Sequence, residues 1–494
     1  MQTLTGESLV MRLSELAANS PDAIAVTAER GHLSRGDLES GSNGWAGEFI
    51  RRGVTVGDVI AFALPNDLEF FSVLVGAWKV GAVPLPVSDK LSDAELTLML
   101  EAAAPVVVIG RELEAVEGRT YLPADLDISD AEDVDLAPSV VSPSWKAIGS
   151  GGSTGRPKVI VTPTPALLSS QNFKNGPMGI GESETTVVTA PLSHNGPFIA
   201  AVQTILQGGR VVLTGRFDPK NVLAAVEQEK GTWLYMVPTM MSRISKLPTE
   251  TRERYDLSSL RRVVHMGAPC PEWVKRAWID WLGPETIAEI YTSTEAVAMF
   301  SVSGSEWLDH PGTVGRLSRG ELQIRSREGK PLPVGETGLI WVNNGSPGGS
   351  ASFQYLGAQD EPGEGGWRTL GDIGRVDEDA YLYIADRETD MILVGGSNVY
   401  PAELESALSD HPAVVDVAVI GLPHDDLGQA PHVIVHVAQP VTEEELLEHF
   451  LRKVSAYKRP RSWEFADEPI RDAAGKINRR RLREARLAAP STVS

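Results

Sequence analysis

Apolar residues recur at every third or fourth position over residues 8–19, with Leu9, Leu13 and Leu16 on one face, so the spacing predicts an amphipathic helix. The apolar stretch DVIAFAL (58–64) reads as a buried strand, residues 67–80 as a helix and PVVVI (105–109) as a further strand. Strand–helix–strand order implies βαβ units with parallel pairing. The same texture returns over 186–264, where TVVTAPL, GRVVLTG, TWLYMVP and RRVVHMG are strand-like and residues 200–207 and 220–230 are helical. After Gly312 it changes. ELQIRS, GLIWVNN and YLYIADR are short strands between Gly and Pro turns, as in an antiparallel or barrel-like subdomain. From about Thr389 it changes again. Pro401 opens a helix ending at Ser409 before Pro412, residues 414–420 and 432–437 alternate like strands, and Thr442 to Glu445 form a capping box ahead of a helix with Leu446, Leu447, Phe450 and Val454 inward. The expected class is α/β. A large N-terminal domain (1–388) would hold βαβ subdomains and the small barrel-like one, followed by a small α+β domain (389–494).

Composition supports this division. The chain has 494 residues, more than one core usually holds, and 42% of them are hydrophobic. Its net charge of −21 argues against nucleic acid as a partner, since phosphate backbones select Lys and Arg. A single cysteine, Cys270, rules out an internal disulfide and points to a reducing, cytoplasmic setting; it lies between prolines with no activating base. The first residues carry charges within their apolar stretch and do not read as a signal peptide, and no uncharged run nears the roughly 18–20 residues of a membrane span. The six acids of 125–135 read as a solvated loop, and Val274, Ala277, Trp278 and Trp281 as a packing stripe. The segment 451–494 runs against the overall charge, with twelve Lys and Arg to five Asp and Glu, which points either to a polyanionic small ligand or to a positive end complementing the acidic body.

The densest chemistry is the loop Gly149-Ser150-Gly151-Gly152-Ser153-Thr154-Gly155-Arg156-Pro157-Lys158. Gly-rich backbone brings N–H groups close to phosphate oxygens, the hydroxyls add donors, and Lys158 adds charge. Arg-Pro before the lysine excludes a P-loop. Further segments occur in order: Gly267-Ala268-Pro269, Tyr291-Thr292-Ser293-Thr294-Glu295, Gly371-Asp372, Arg387, GGSNVYPAELE (395–405) and Gly475-Lys476-Ile477-Asn478-Arg479-Arg480. Together they resemble the motif set of the adenylate-forming superfamily of acyl-CoA synthetases, adenylation domains and luciferases, over roughly residues 8–487.

The resemblance implies ATP, Mg²⁺ and CoA as co-substrates and cofactor, a small-molecule carboxylic acid as partner, and a two-step reaction through acyl-AMP. It implies phosphate contacts from Ser150, Gly151, Gly152, Ser153, Thr154, Gly155 and Lys158. Adenine and ribose would meet Gly267, Ala268, Pro269, Tyr291, Asp372 and Arg387. Lys476 would bridge the carboxylate and α-phosphate, Glu295 would hold the metal, and Thr294 would hold a phosphate oxygen. His194, in Pro191-Leu192-Ser193-His194, would gate the acyl side, with Asn195, Gly267 and Thr292 lining that pocket. The C-terminal domain would be a lid turning about Thr389, exchanging Lys476 for a thiol channel at Gly395 and Gly396.

Three departures stand out. Thr292 replaces a frequent Gly on the pocket floor, adding volume and a hydroxyl; Thr389 stands where Asp or Lys is usual; Val159 replaces a Gly. Ser193-His194-Asn195-Gly196 offers no carboxylate for an α-ammonium, which disfavours an amino acid substrate. The stretch 264–271 and the Trp-rich helix after it resemble bacterial ligases for bile acids and other polycyclic or fatty acids, so the expected acid is bulky and apolar, of terpenoid or polycyclic type. Three alternatives stay open: an enzyme strong mainly in thioester formation, transfer to a carrier-protein pantetheine in place of CoA, and a silent nucleotide-binding protein.

Overall fold

The computed structural model describes residues 6–113, 119–128, 140–150, 158–168, 178–318, 320–344, 353–357, 363–472 and 475–488. The large N-terminal domain is organised on a nine-stranded sheet. Its strands Ile287–Thr292, Arg262–His265, Trp233–Met236, Thr185–Val188, Arg210–Leu213 and Ile24–Ala28 lie side by side, all parallel. Antiparallel strands close both flanks: Met299–Ser303 and Arg316–Leu317 on one, Gly31–Ser34 on the other. Parallel strands buried on both faces read as continuous apolar runs, which is why Trp233–Met236 is buried throughout.

A second parallel sheet joins Val83–Pro86, Val59–Phe62, Val107–Ile109 and Thr120–Leu122. Pro84 and Pro86 are tolerated because their strand is at the sheet's edge, where lost N–H donors leave no gap in a ladder. Between the two sheets lies the helix Leu68–Lys79, capped by Asp67 and buried from Phe70 onward. The Trp78 indole donates to the Trp145 carbonyl at 2.8 Å. Helix Leu9–Asn19 is capped by Ser8 and buries Leu9, Leu13 and Ala17, as its period requires. Val274 and Trp278 are buried in the helix Glu272–Leu282, and Trp281 packs edgewise on Trp278 at 5.4 Å, so the tryptophan stripe is core.

The strands after Gly312 are antiparallel, in the order Glu321–Arg325, Gly338–Asn343, Arg368–Val376, Leu382–Arg387. A three-stranded sheet pairs Gln354–Leu356 with Lys158–Val161, and the latter with Ala147–Ser150.

The small C-terminal domain has its own sheet of Ser397–Val399, Ile392–Val394, Gly428–Val437, Val414–His424 and Ser462–Ala466, and its own core around Leu404, Leu408, Val419, Val433, Leu446 and Phe450. The helix Pro401–Ser409 begins at its proline, and Thr442 and Glu445 form the expected capping box on Glu443–Leu451, worth about 1 kcal/mol. Most of the acidic run at 125–135 lies outside the described residues. No helix among the described residues is long and apolar enough to cross a membrane.

Candidate active site

Strands 185–188, 233–236, 262–265 and 287–292 are adjacent and parallel, so the segments leaving their carboxyl ends meet on one rim, the usual place for ligands in open α/β sheets. Those segments carry His194, Val237 to Thr239, Gly267 to Pro269, and Tyr291 to Glu295. Gly267 has φ +89°, and a Cβ there would touch only Val237 Cγ1, at 4.0 Å. The Tyr291 hydroxyl donates to the Asp372 carboxylate, and Arg387 Nε lies 3.7 Å from Asp372 Oδ1. Asp372 and Arg387 are direct cross-strand partners, so the register of two strands sets their pairing. Burial raises the Asp372 pKa above its ordinary value, opposed by the Tyr291 bond and Arg387. Burial also holds Tyr291 well above its usual value, reinforced by Asp372.

Thr294 and Glu295 lie in the turn between Ile287–Thr292 and its antiparallel neighbour Met299–Ser303. Glu295 Oε1 accepts from the Tyr355 hydroxyl at 2.8 Å, and Lys158 Nζ stands 4.7 Å from the centroid of the Tyr355 ring. Ser150 and Lys158 end two paired strands, which places them at the two ends of the glycine-rich loop. Gly151, Gly152, Ser153, Thr154 and Gly155 lie outside the described residues. The Thr292 hydroxyl is donated to the Ala298 carbonyl at 2.7 Å, so this departure adds volume while its hydroxyl is bonded to the backbone.

Lys476 reaches the cleft from the other domain. Its pKa is lowered by removal from bulk water and then by Arg387, against the pull of Asp472 and Glu295. His194 is drawn down to about 4 by burial and then by Lys476, so it is a neutral imidazole at neutral pH. Lys476 thus stands within electrostatic reach of His194, Glu295 and Arg387 although it keeps contact with solvent. Gly475 makes this approach possible. It has φ +74°, and a Cβ there would sit 2.7 Å from Thr239 Oγ1 and 3.2 Å from Val237 Cγ2. Elsewhere on the interface, Lys246 Nζ donates to the Ser409 carbonyl at 2.6 Å and to the Val414 carbonyl, and the Trp273 indole donates to Ser409 Oγ at 3.1 Å. Burial lowers Lys246 to about 8.

Asn195 opens the helix Asn195–Leu206 directly after His194. A Cβ at Gly196 would fall 2.6 Å from the Tyr235 hydroxyl and 2.8 Å from Met266 Sδ, so these two side chains wall the helix start. Lys146, brought down to about 7 by burial, donates to Asn195 Oδ1. Cys270 is pushed up to about 12 by burial and is no nucleophile.

Gly395 and Gly396 form the two-residue turn of a hairpin, with φ +56° and +85°, and its tip is open to solvent. Thr389 is exposed, between a Glu388 N–H bond to Gly371 and an Asp390 N–H bond to Arg387. Seven of the twelve cations of the basic segment pair within their own domain, and Lys476 is turned toward the cleft. Arg452, Lys453, Lys458, Arg471, Arg479, Arg480 and Arg486 are all salt-bridged to acids of the C-terminal domain itself.

Sequence reasoning missed Tyr355, Lys246, Trp273 and Lys146. None falls within a motif, and only its contacts reveal it.

Among the described residues no cluster of three His, Cys, Asp or Glu could cage a metal. Mg²⁺ does not need one, because it commonly takes one or two carboxylates plus substrate phosphates and water. Glu295, joined through Tyr355 to Lys158, fits that donor set.

Lys476, the Tyr291–Asp372–Arg387 contacts and Glu295 beside Lys158 stand around one rim, an arrangement with the charges that an ATP-using enzyme needs. The comparisons agree. The AMP-binding enzyme family matches residues 13–346, and the AMP-binding enzyme C-terminal domain matches 403–476. The chain belongs to this family and is an ATP-dependent acid–thiol ligase of the acyl-CoA synthetase kind, using ATP, Mg²⁺ and CoA. It is 32% identical over 483 residues to feruloyl-CoA synthase of an Amycolatopsis species, covering 93% of this chain and 95% of that one. It is 28% identical over 486 residues to 2-succinylbenzoate–CoA ligase of Bacillus cereus, covering 97% and 99%. The anthranilate CoA ligase AuaEII, solved with anthranoyl-AMP, superposes with a TM-score of 0.80 at 25% identity, covering 98% of each chain.

Proposed function

We propose that this ligase activates a bulky, largely apolar acid of aromatic or fused-ring type and passes the acyl group to CoA, with domains spanning 1–388 and 389–494. The observation that carries the reading is that the turn leading into Lys476 packs on Val237 and Thr239, on the rim that also holds Glu295 and the Tyr291–Asp372–Arg387 contacts. In the first step a carboxylate oxygen attacks the α-phosphorus of ATP and pyrophosphate leaves. Negative charge gathers on the α-phosphate and the departing oxygens, so fixed cations dominate the catalysis. Lys476 spans the carboxylate and α-phosphate; Lys158, Ser150 and Thr294 hold the other phosphates together with the glycine-rich loop. Magnesium held by Glu295 supplies charge neutralisation on the phosphates. Asp372 accepts from the ribose hydroxyls, Tyr291 and the Gly267-Ala268-Pro269 turn flank adenine, and Arg387 adds charge beside the ribose. Neutral His194 closes the acid side without competing with Lys476 for the carboxylate.

In the second step the CoA sulfur attacks the acyl carbon, the thiol proton is lost, and AMP leaves. Lys476 occupies the cleft, so the lid turns about Thr389 and withdraws it, bringing Gly395 and Gly396 to the thiol path. The relatives named for ferulate and succinylbenzoate favour an aromatic acid over a terpenoid one. The test is a panel of aromatic, fused-ring and fatty acids with ATP and CoA, read by pyrophosphate exchange and mass spectrometry of the thioester. Exchange and thioester formation with aromatic acids are expected. Thioester formation only from supplied acyl-AMP, with no exchange for any acid, would overturn full ligase activity, and preference for a carrier-protein pantetheine would overturn CoA as the acceptor.

A further inference from the structure

We propose that Tyr355 is a positioning residue that ties the carboxylate of Glu295 to Lys158, so that metal and phosphate contacts are set together. It rests on the reading of Glu295 as the magnesium carboxylate and Lys158 as a phosphate contact. The two groups arrive from different parts of the domain. Glu295 is in the turn after the strand Ile287–Thr292 of the nine-stranded sheet, whereas Lys158 begins a strand of the three-stranded sheet. Tyr355 lies in Gln354–Leu356, which pairs with Lys158–Val161, and it stands opposite Ile160. From there its hydroxyl donates to Glu295 Oε1 at 2.8 Å, and its ring lies 4.7 Å from Lys158 Nζ. Phe353 holds the ring edge-on at 4.8 Å.

One side chain thus performs two tasks. The phenol O–H occupies one carboxylate oxygen and orients the other, as hydrogen bonds behind metal ligands do. The ring face gives the ammonium an attractive surface that is not a counter-ion, so Lys158 is held without being neutralised and its charge stays available to phosphate. A carboxylate in place of Tyr355 would hold the lysine more strongly but would repel Glu295.

The two tasks separate by substitution. Y355F keeps the ring and removes the bond to Glu295; Y355L removes both. Binding of Mn²⁺ to the enzyme with a non-hydrolysable ATP analogue is measured by electron paramagnetic resonance, metal-free binding of the same analogue by calorimetry, and folding by thermal unfolding. Y355F should weaken Mn²⁺ binding about 10-fold, the low end for a residue behind a metal ligand, and leave metal-free analogue binding unchanged. Y355L should show the same metal effect and lose a further factor of about 5 in metal-free binding through the released Lys158. E295Q is the control. If E295Q binds Mn²⁺ as the wild type does, the reading of the metal site itself fails. If E295Q loses Mn²⁺ and Y355F does not, the proposed role of Tyr355 is overturned. Equal metal-free binding by Y355F and Y355L would overturn the link to Lys158.

Discussion

The two sides of the cleft are built by different means. The body's side stands on the carboxyl ends of four adjacent parallel strands, and its residues inherit their spacing from the sheet. Asp372 and Arg387 are likewise fixed by cross-strand register. The lid's side is one lysine on a turn, where Lys476 N–H donates to Asp472 Oδ1 at 2.8 Å. That turn is anchored by charge. Arg471 pairs with Glu405 and Asp416, and Arg479 with Glu405 and Asp390, all half-buried or buried. Side chains that share one sheet cannot separate without breaking it. A lysine carried by a separate core can leave as a unit, which is what an enzyme needs when one cleft serves two steps with incompatible contacts.

The sharpest way to break this comparison is to remove the lid's contribution. K476A should lower pyrophosphate exchange by about 10²–10³-fold, the range for losing one preorganised group facing developing charge, while thioester formation from supplied acyl-AMP is spared. Equal loss in both assays would show that Lys476 does not belong to the first step alone. Next comes G475A, which places a Cβ against Thr239 and strains a positive φ. It should lower exchange by about 10-fold or more through misplacement of Lys476, again sparing the second step.

A smaller effect is expected at the docking face. Lys246 donates to the carbonyl of Ser409, the last residue of helix Pro401–Ser409, where a cation also complements the helix dipole. K246M should reduce exchange several-fold, roughly the effect of about 1 kcal/mol, and leave the second step equal or faster. A variant slowed equally in both steps would show that Lys246 serves stability rather than the position of the lid.

The smallest test uses Asp386, whose carboxylate accepts from Ala402 N–H at 2.8 Å and joins the body's last strand to the lid's first helix. Burial raises its pKa to about 6. The folded chain therefore holds an extra proton between the unfolded value, about 3.9, and 6. Ionised Asp386 thus costs stability at neutral pH, and the cost vanishes as pH falls through 6 toward 4. The unfolding temperature of D386N minus that of the wild type should be more positive near neutral pH than near about pH 4.5, and a difference flat with pH would show that Asp386 does not titrate in that range.

Much of this fold was legible in the chain. The strand runs over 186–264, Pro401 at the start of its helix and the capping box at Thr442 to Glu445 are local patterns, and local patterns survive folding because they are satisfied within one turn or one strand. The candidate site was legible only as motifs. The Asp372–Arg387 and Glu295–Tyr355 contacts join residues far apart in sequence, and nothing local marks Tyr355 as different from any strand tyrosine. The charge count over 451–494 likewise says nothing of which acids fold back onto the cations.

By itself the sequence determined the elements, the ordered motifs and the family, because periodicity, capping and short motifs depend on neighbours along the chain. The tertiary structure decided which motif residues meet, that Lys476 faces the cleft, that the Thr292 hydroxyl bonds the Ala298 carbonyl, and that Tyr355 joins Glu295 to Lys158. Those outcomes depend on sheet register and on how two separate cores dock, and both are set by burial and charge across long sequence separations.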